Sequence, residues 1–274
     1  MAKTTGIGLI GCGTIGAALA MAVARGEAGP ANVTGLYDLE QGRANDLAAR
    51  LNGAAVHATV DLLLRDEQVQ TVVEAASQAA AVAHARAVLA AGRSLLLMSS
   101  GALIDSALFG ELAGLARKHG VSLAVPSGAV GGLDAIRAVR SELREVRLTS
   151  TKPPAALRGA PGYAAWESKE IRHATVVYEG AARDAVRLFP ANVNVAAAVS
   201  LAGLGPDRTM TRVVADPAAP GNVHEVSASG DFGQFTLRFV NRPSPENPRT
   251  SRLAILSAVE ALRGLCDDGP RIGS

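Results

Sequence analysis

Three sets of residues in this chain could do chemistry: a glycine-spaced turn near the amino end, an acid after a second apolar run, and a few polar side chains in the second half. Gly11-Cys12-Gly13-Thr14-Ile15-Gly16 has the form G-x-G-x-x-G. In such a turn the first glycine permits a tight bend, the second lets backbone approach a pyrophosphate, and the third lets a helix pack closely on a strand. Thr14 and Ile15 would open that helix, whose free N–H groups and dipole suit phosphate. Asp38 ends the run ANVTGLYD, 22 positions beyond Gly16. A carboxylate there can accept both ribose hydroxyls of an adenosine and repels a 2′-phosphate. Arg43 stands close enough to greet such a phosphate, so NAD and NADP both stay open. The plain alternative makes Asp38 a cap for a helix starting near Gln41.

The second half must then hold a substrate and move protons. Histidine titrates near neutrality and suits both amine deprotonation and water activation. Of the five histidines, His57 and His119 sit among polar helix ends and loops, His84 lies mid-helix and His173 precedes a strand; packing and surface roles suit all four. His224 differs, because it lies in a Pro-Gly-Asn turn entering a strand. Lys152, in STKPP, offers a cation for a carboxylate on a loop fixed by prolines, or is an exposed strand-end lysine. Asn192 and Asn194 combine helix capping with contact to cofactor or substrate. Thr250 opens the last helix within reach of the site.

The elements that would position these residues alternate. Ile7–Ile10 reads as a buried strand, with Ile15, Leu19 and Val23 continuing at helical spacing. The segment DLAARLNGAAVHATV gives no clear period; strands over Val69–Ser77 and SLLLM, helices over Ala79–Ala91 and Ser106–His119, and a strand at Val121–Val125 follow. Such alternation indicates βαβ units and a parallel sheet, with ligands beyond the carboxyl ends of its strands. That rule puts Ala75, Ala76, Ser77, Ser99, Ser100 and Gly101 beside a cofactor. After Pro126 the texture changes to a glycine-rich turn, then several strands with one or two helices, an α+β pattern. The expected fold is α/β: a doubly wound Rossmann-type domain over 1–125 and a substrate and dimerisation α+β domain over 126–246. A last helix, Pro248–Leu265, with Leu253, Leu256, Val259 and Ala261 as its stripe, would pack back on the first domain.

The uncharged run from Thr4 to Ala24 imitates an export signal. Five glycines between Gly6 and Gly16 would break any spanning helix, since each costs about 1 kcal/mol relative to Ala. With nearly half the residues apolar and a formal net charge of only +2, composition suggests a compact cytoplasmic protein and implies no nucleic-acid or membrane partner. Cys12 and Cys266 give neither a disulfide framework nor a metal cluster; no metal site is expected.

In order, the glycine turn and LYD, VVEAAS, PSGAVGGLDA, TKPP, FPANVNVAAAVSLAG, the ADP…NVHEV…GDFG segments and NPRTS resemble the L-aspartate dehydrogenase family over almost the whole chain. The resemblance implies an NAD(P)-dependent amino-acid dehydrogenase that oxidises L-aspartate reversibly to iminosuccinate, which hydrolyses to oxaloacetate and ammonia, and that can feed pyridine-nucleotide biosynthesis. It further implies a homodimer, an active-site histidine at His224, and cofactor contacts near Ala129 and on Asn192 or Asn194. Two other readings remain: a reductase of the same architecture, homoserine dehydrogenase-like or dihydrodipicolinate reductase-like, and a non-catalytic NAD sensor. A phosphate-forming semialdehyde dehydrogenase would need a nucleophilic cysteine, and neither cysteine is placed for it.

Overall fold

The computed structural model describes residues 4–190, 193–244, 250–267 and 269. Its first unit runs to Pro126 and takes up the chain again from Ile255, and its second spans Ser127–Ala254.

The first unit is built by strict alternation: β1 (Thr5–Ile10), α1 (Thr14–Ala24), β2 (Ala31–Tyr37), α2 (Gln41–Ala48), β3 (Ala55–Val56), α3 (Val60–Arg65), β4 (Thr71–Glu74), α4 (Gln78–Ala90), β5 (Ser94–Leu97), α5 (Ser106–His119) and β6 (Leu123–Ala124). All six strands are parallel, in the order β3-β2-β1-β4-β5-β6. This is the doubly wound, Rossmann-type sheet expected. The central strands are apolar without alternation because helices cover both faces; every residue of β4 is buried. Helix α5 has the bounds read from sequence and α4 is shifted by one residue, while β1 begins two residues earlier and β4 and β6 are shorter than the runs. The pair β3 and α3 gave no signal, for two and six residues show no period; α3 is set instead by Thr59, whose side chain accepts from the Leu62 amide.

In the second unit α6 (Leu133–Ala138) leads to β7 (Leu143–Lys152), β8 (Thr175–Ala181), α7 (Ala182–Leu188), α8 (Val193–Ala202), β9 (Thr209–Ala215), β10 (Asn222–Gly230) and β11 (Gly233–Asn241). The sheet runs β11-β10-β7-β9-β8, with β7 and β9 parallel and the other pairs antiparallel. Period two sorts its faces. Val146, Leu148, Ser150 and Lys152 are buried on one face of β7, while Arg147, Thr149 and Thr151 alternate onto the other. Val146, Leu148, Val226 and Ala228 share a core with Val195, Ala196 and Val199 of α8.

The last helix, α9 (Arg252–Cys266), begins four residues later than expected. Its buried stripe is Ile255, Ala258, Val259 and Leu262, packed with Leu9, Leu19 and Val23 of the first unit. Of the expected stripe, Val259 is buried and Ala261 packs against the core, whereas Leu256 is 50% exposed, because the period that includes Ile255 and Leu262 turns it off the buried face.

Candidate functional site

In the first unit the glycine turn, β2 and β4 end side by side and enclose a cleft of about 410 Å³. It is lined by Gly11, Gly13, Asp38, Ala75, Ala76 and Ser77, and also by Leu39, Arg43 and His84. The three glycines answer to three constraints. Gly11 has φ +97°, and a Cβ there would come within 2.7 Å of Ala76. A Cβ on Gly16 would run into the Gly11 carbonyl. One on Gly13 would meet nothing within 4 Å. The folded chain itself thus sets no steric limit at Gly13, and a backbone bare of side chain at the first turn of α1 fits the close approach of a pyrophosphate. Gly13 is the N-cap of α1 with no side-chain cap, and Thr14 and Ile15 begin the helix.

Asp38 has two backbone partners. Its Oδ2 accepts from the Cys12 amide at 2.7 Å and its Oδ1 from the Glu40 amide at 2.9 Å, so it ties the glycine turn to the turn after β2. It does not cap α2, whose N-cap is Glu40. Arg43 reaches Glu40 at 2.8 Å. Leu39 is 89% exposed at the cleft lip, and His84 packs edge-on against Tyr37; sequence reasoning missed the first and gave the second a packing role only. Ser99 is not in the cleft lining. It lies behind it, its amide and hydroxyl bonded to Glu74, a buried acid that sequence reasoning overlooked in its apolar run. Cys12 is buried, and burial raises its thiol to about 12, which leaves it inert.

The second unit gathers His224, Ser150 and Lys152. His224 and Ser150 are Cα partners across β10 and β7, with Ser150 Oγ 3.0 Å from His224 Nδ1. Burial, then the neighbouring Lys152 charge, pushes the imidazole down to about 3. The buried imidazole thus favours the neutral form, unlike an exposed histidine that titrates near neutrality. Lys152 is 6% exposed, and burial lowers its ammonium to about 8. It is neither a loop residue nor an exposed strand end; it closes β7, on the same face as Ser150. Ser150 was legible only as the position two before Lys152.

Ala129 is buried, its carbonyl accepting from Asn241 Nδ2 at 2.9 Å. Asn194 is an exposed residue in the first turn of α8, and Asn192 lies outside the described residues. Thr250 gives its carbonyl to the Ser244 amide at 2.7 Å. His57, expected in a surface or packing role, stands 3.3 Å from Asp66. Among the described residues no group of three or more His, Cys, Asp or Glu is placed to hold a metal, and no helix is long and apolar enough to cross a membrane.

Two family models divide the chain. The NAD-binding domain of homoserine dehydrogenase matches residues 11–126, and the C-terminal domain of aspartate dehydrogenase matches 134–265. An L-aspartate dehydrogenase of Nitrosopumilus maritimus is 40% identical over 270 residues, covering 98% of this chain and 99% of that protein. One from Methanosarcina mazei is 44% identical, covering 94% and 95%. The crystal structure of aspartate dehydrogenase from Thermotoga maritima superposes with a TM-score of 0.76 at 25% identity, over 99% of this chain and all of that one.

Proposed function

This chain belongs to the L-aspartate dehydrogenase family, an NAD(P)-dependent group of enzymes, and on that footing we propose that it oxidises L-aspartate to iminosuccinate. The observation that carries the reading is the buried His224–Ser150–Lys152 group on a matched catalytic domain. Dinucleotide binding is assigned to the first unit, and substrate binding with proton handling to the second.

A bound nicotinamide would supply the acceptor for the hydride that leaves Cα of the amino acid. Lys152, protonated below about pH 8, attracts a substrate carboxylate and is returned toward its ordinary basicity by it. His224, neutral and aligned by Ser150, accepts a proton from the amine as the C=N bond forms. The imidazolium gives that proton up to solvent and, neutral again, takes one from the water that attacks the imine; returning it to the carbinolamine nitrogen lets ammonia leave as oxaloacetate forms. Asn192, Asn194, Ala129 and Thr250 are assigned to the surroundings of cofactor and substrate. Run backward, the site aminates oxaloacetate; run forward, its iminosuccinate serves pyridine-nucleotide synthesis. Asp38 supports NAD as the preferred cofactor, with NADP accepted through Arg43. A cytoplasmic location agrees with a first apolar run spent on strand, turn and helix.

We also propose a homodimer through the face of the second sheet opposite Ser150 and His224. One row across it reads Val240, Val223, Thr151, Val214, Val176, and the next reads Arg238, Glu225, Thr149, Arg212, Glu179. The charged row reverses sign about β7, so a two-fold axis along β7 sets Arg238 against the partner's Glu179 and Glu225 against the partner's Arg212.

The deciding experiment is a substrate panel with NAD⁺ and NADP⁺, read by nicotinamide absorbance. A site with donors for two carboxylates leaves them unpaired with alanine, a discrimination of about 10⁴. L-Aspartate should turn over, alanine negligibly and glutamate poorly. Faster turnover of homoserine would overturn the assignment.

A further inference from the structure

At the carboxyl end of β4 lies a buried acid that none of the steps above uses. Glu74 is 2% exposed, and four donors converge on it. Oε1 accepts from the Ala76 amide at 2.9 Å, the Ser77 amide at 3.0 Å and the Ser99 hydroxyl at 3.0 Å. Oε2 accepts from the Ser99 amide at 3.1 Å. All four partners are neutral. Burial raises the carboxyl's pKa above its ordinary value, and the four donors hold that rise back. Three of the four are amides that cannot accept, so a protonated carboxyl would leave its O–H with only the serine oxygen. The constellation is built for a carboxylate, with no cation among these partners.

Its place in the sheet gives that charge a target. Asp38 follows β2, the glycine turn follows β1 and Glu74 ends β4, and these strands are neighbours in the order β2-β1-β4-β5. A dinucleotide with its adenosine ribose at Asp38 and its phosphates on α1 points its nicotinamide end toward β4 and β5. That ring is cationic when oxidised and neutral when reduced. We propose that Glu74 is a positioning residue that fixes the loops after β4 and β5 and, by its buried negative charge, biases the cleft toward the oxidised cofactor over the reduced one. The inference rests on the assignment of this cleft to the dinucleotide.

The test compares dissociation constants of NAD⁺ and NADH for wild type, Glu74→Gln, a second neutral variant (Glu74→Met with Ser99→Ala) and the charge-retaining Glu74→Asp. The double variant also removes the hydroxyl donor, and serves where the glutamine NH₂ meets the loop amides too closely to fold. Either neutral variant should weaken NAD⁺ about fivefold more than NADH, as expected for a unit charge several ångströms away in partly screened surroundings. Glu74→Asp should weaken both and keep the ratio. An unchanged ratio in a folded neutral variant overturns the proposal, because loop support alone would move both constants together. Failure of wild type to bind either nucleotide would instead overturn the cleft assignment.

Discussion

Ser150 Oγ and His224 Nδ1 face each other 3.0 Å apart across the β7–β10 pair, both side chains buried. With Nδ1–H donating to the hydroxyl, the ring's rotamer is held and Nε2 is the atom proposed for proton transfer. His224→Ala should lower kcat by about 10² to 10⁴ while nucleotide affinity stays near wild type, measured by fluorescence titration. Ser150→Ala should lower kcat about tenfold with little change in KM, the mark of a group acting through the ring. Near-wild-type turnover in His224→Ala would remove its catalytic role.

Lys152 supplies a pH signature. Burial lowers its ammonium to about 8, so the charge that attracts carboxylate is present below that pH and lost above it. Succinate, which carries two carboxylates and no amine, isolates this group from the substrate's own titration. Its inhibition constant should be flat below about pH 7 and rise about tenfold per unit above pH 8. In Lys152→Arg the rise should vanish, because guanidinium stays charged. His224, down at about 3, does not titrate in that window. A flat wild-type profile to pH 10 would separate Lys152 from substrate binding.

The glycine turn separates folding from binding. Gly13→Ala meets nothing within 4 Å and should leave thermal stability within about 0.5 kcal/mol, as ordinary surface changes do, yet weaken dinucleotide at least tenfold because its methyl enters the phosphate approach. Gly16→Ala runs into the Gly11 carbonyl and should lower the melting temperature by several degrees. Equal nucleotide affinity in Gly13→Ala and wild type would move the phosphates elsewhere.

The parts legible in sequence were those with a long period or a rigid spacing. The glycine turn, Asp38 and helix α5 lay where the residues indicated, since each follows from local backbone rules. Lys152 and Ser150 were obscured because two prolines advertise a loop, while the pairing of β7 with β9 and β10 carries the strand through Lys152. The altered character of His224 was hidden for the same reason: desolvation depends on the helices over the sheet, which the turn PGNVHEV does not contain. Glu74 could have been found, as an acid inside an apolar strand is rarely buried without donors. The stripe of α9 was misread because Leu253 and Leu256 also fit a helical period; only the partner surface selects Ile255 and Leu262.

Cofactor choice turns on Asp38, whose substitution has two effects. Loss of the carboxylate removes both amide contacts, to Cys12 and Glu40, so Asp38→Ala should weaken both nucleotides. It also removes the repulsion of a 2′-phosphate and frees space beside Arg43, whose exposed pair with Glu40 costs little to break. The ratio of NADP⁺ to NAD⁺ in kcat/KM should rise about tenfold or more while absolute values fall. An unchanged ratio would place the ribose away from Asp38.

The sheet face opposite Ser150 and His224 tests the proposed dimer. The valine row offers an apolar strip, Val240 at 53% and Val176 at 44% exposure, and the adjoining charged row matches itself only when reversed about β7. Two-fold symmetry counts each change twice. Arg238→Glu therefore sets two like-charge pairs, each against the partner's Glu179, and should weaken dimerisation about tenfold or more, read by sedimentation at low ionic strength. Raising salt should weaken wild type and strengthen the variant, since screening removes attraction in one and repulsion in the other. Arg238 lies on the opposite face of the sheet from Ser150 and His224, so the variant's melting temperature as a monomer should match wild type diluted to the same state. A wild-type chain that sediments as a monomer at micromolar concentration, or an Arg238→Glu variant with an unaltered dimerisation constant, would exclude this face as the contact between copies.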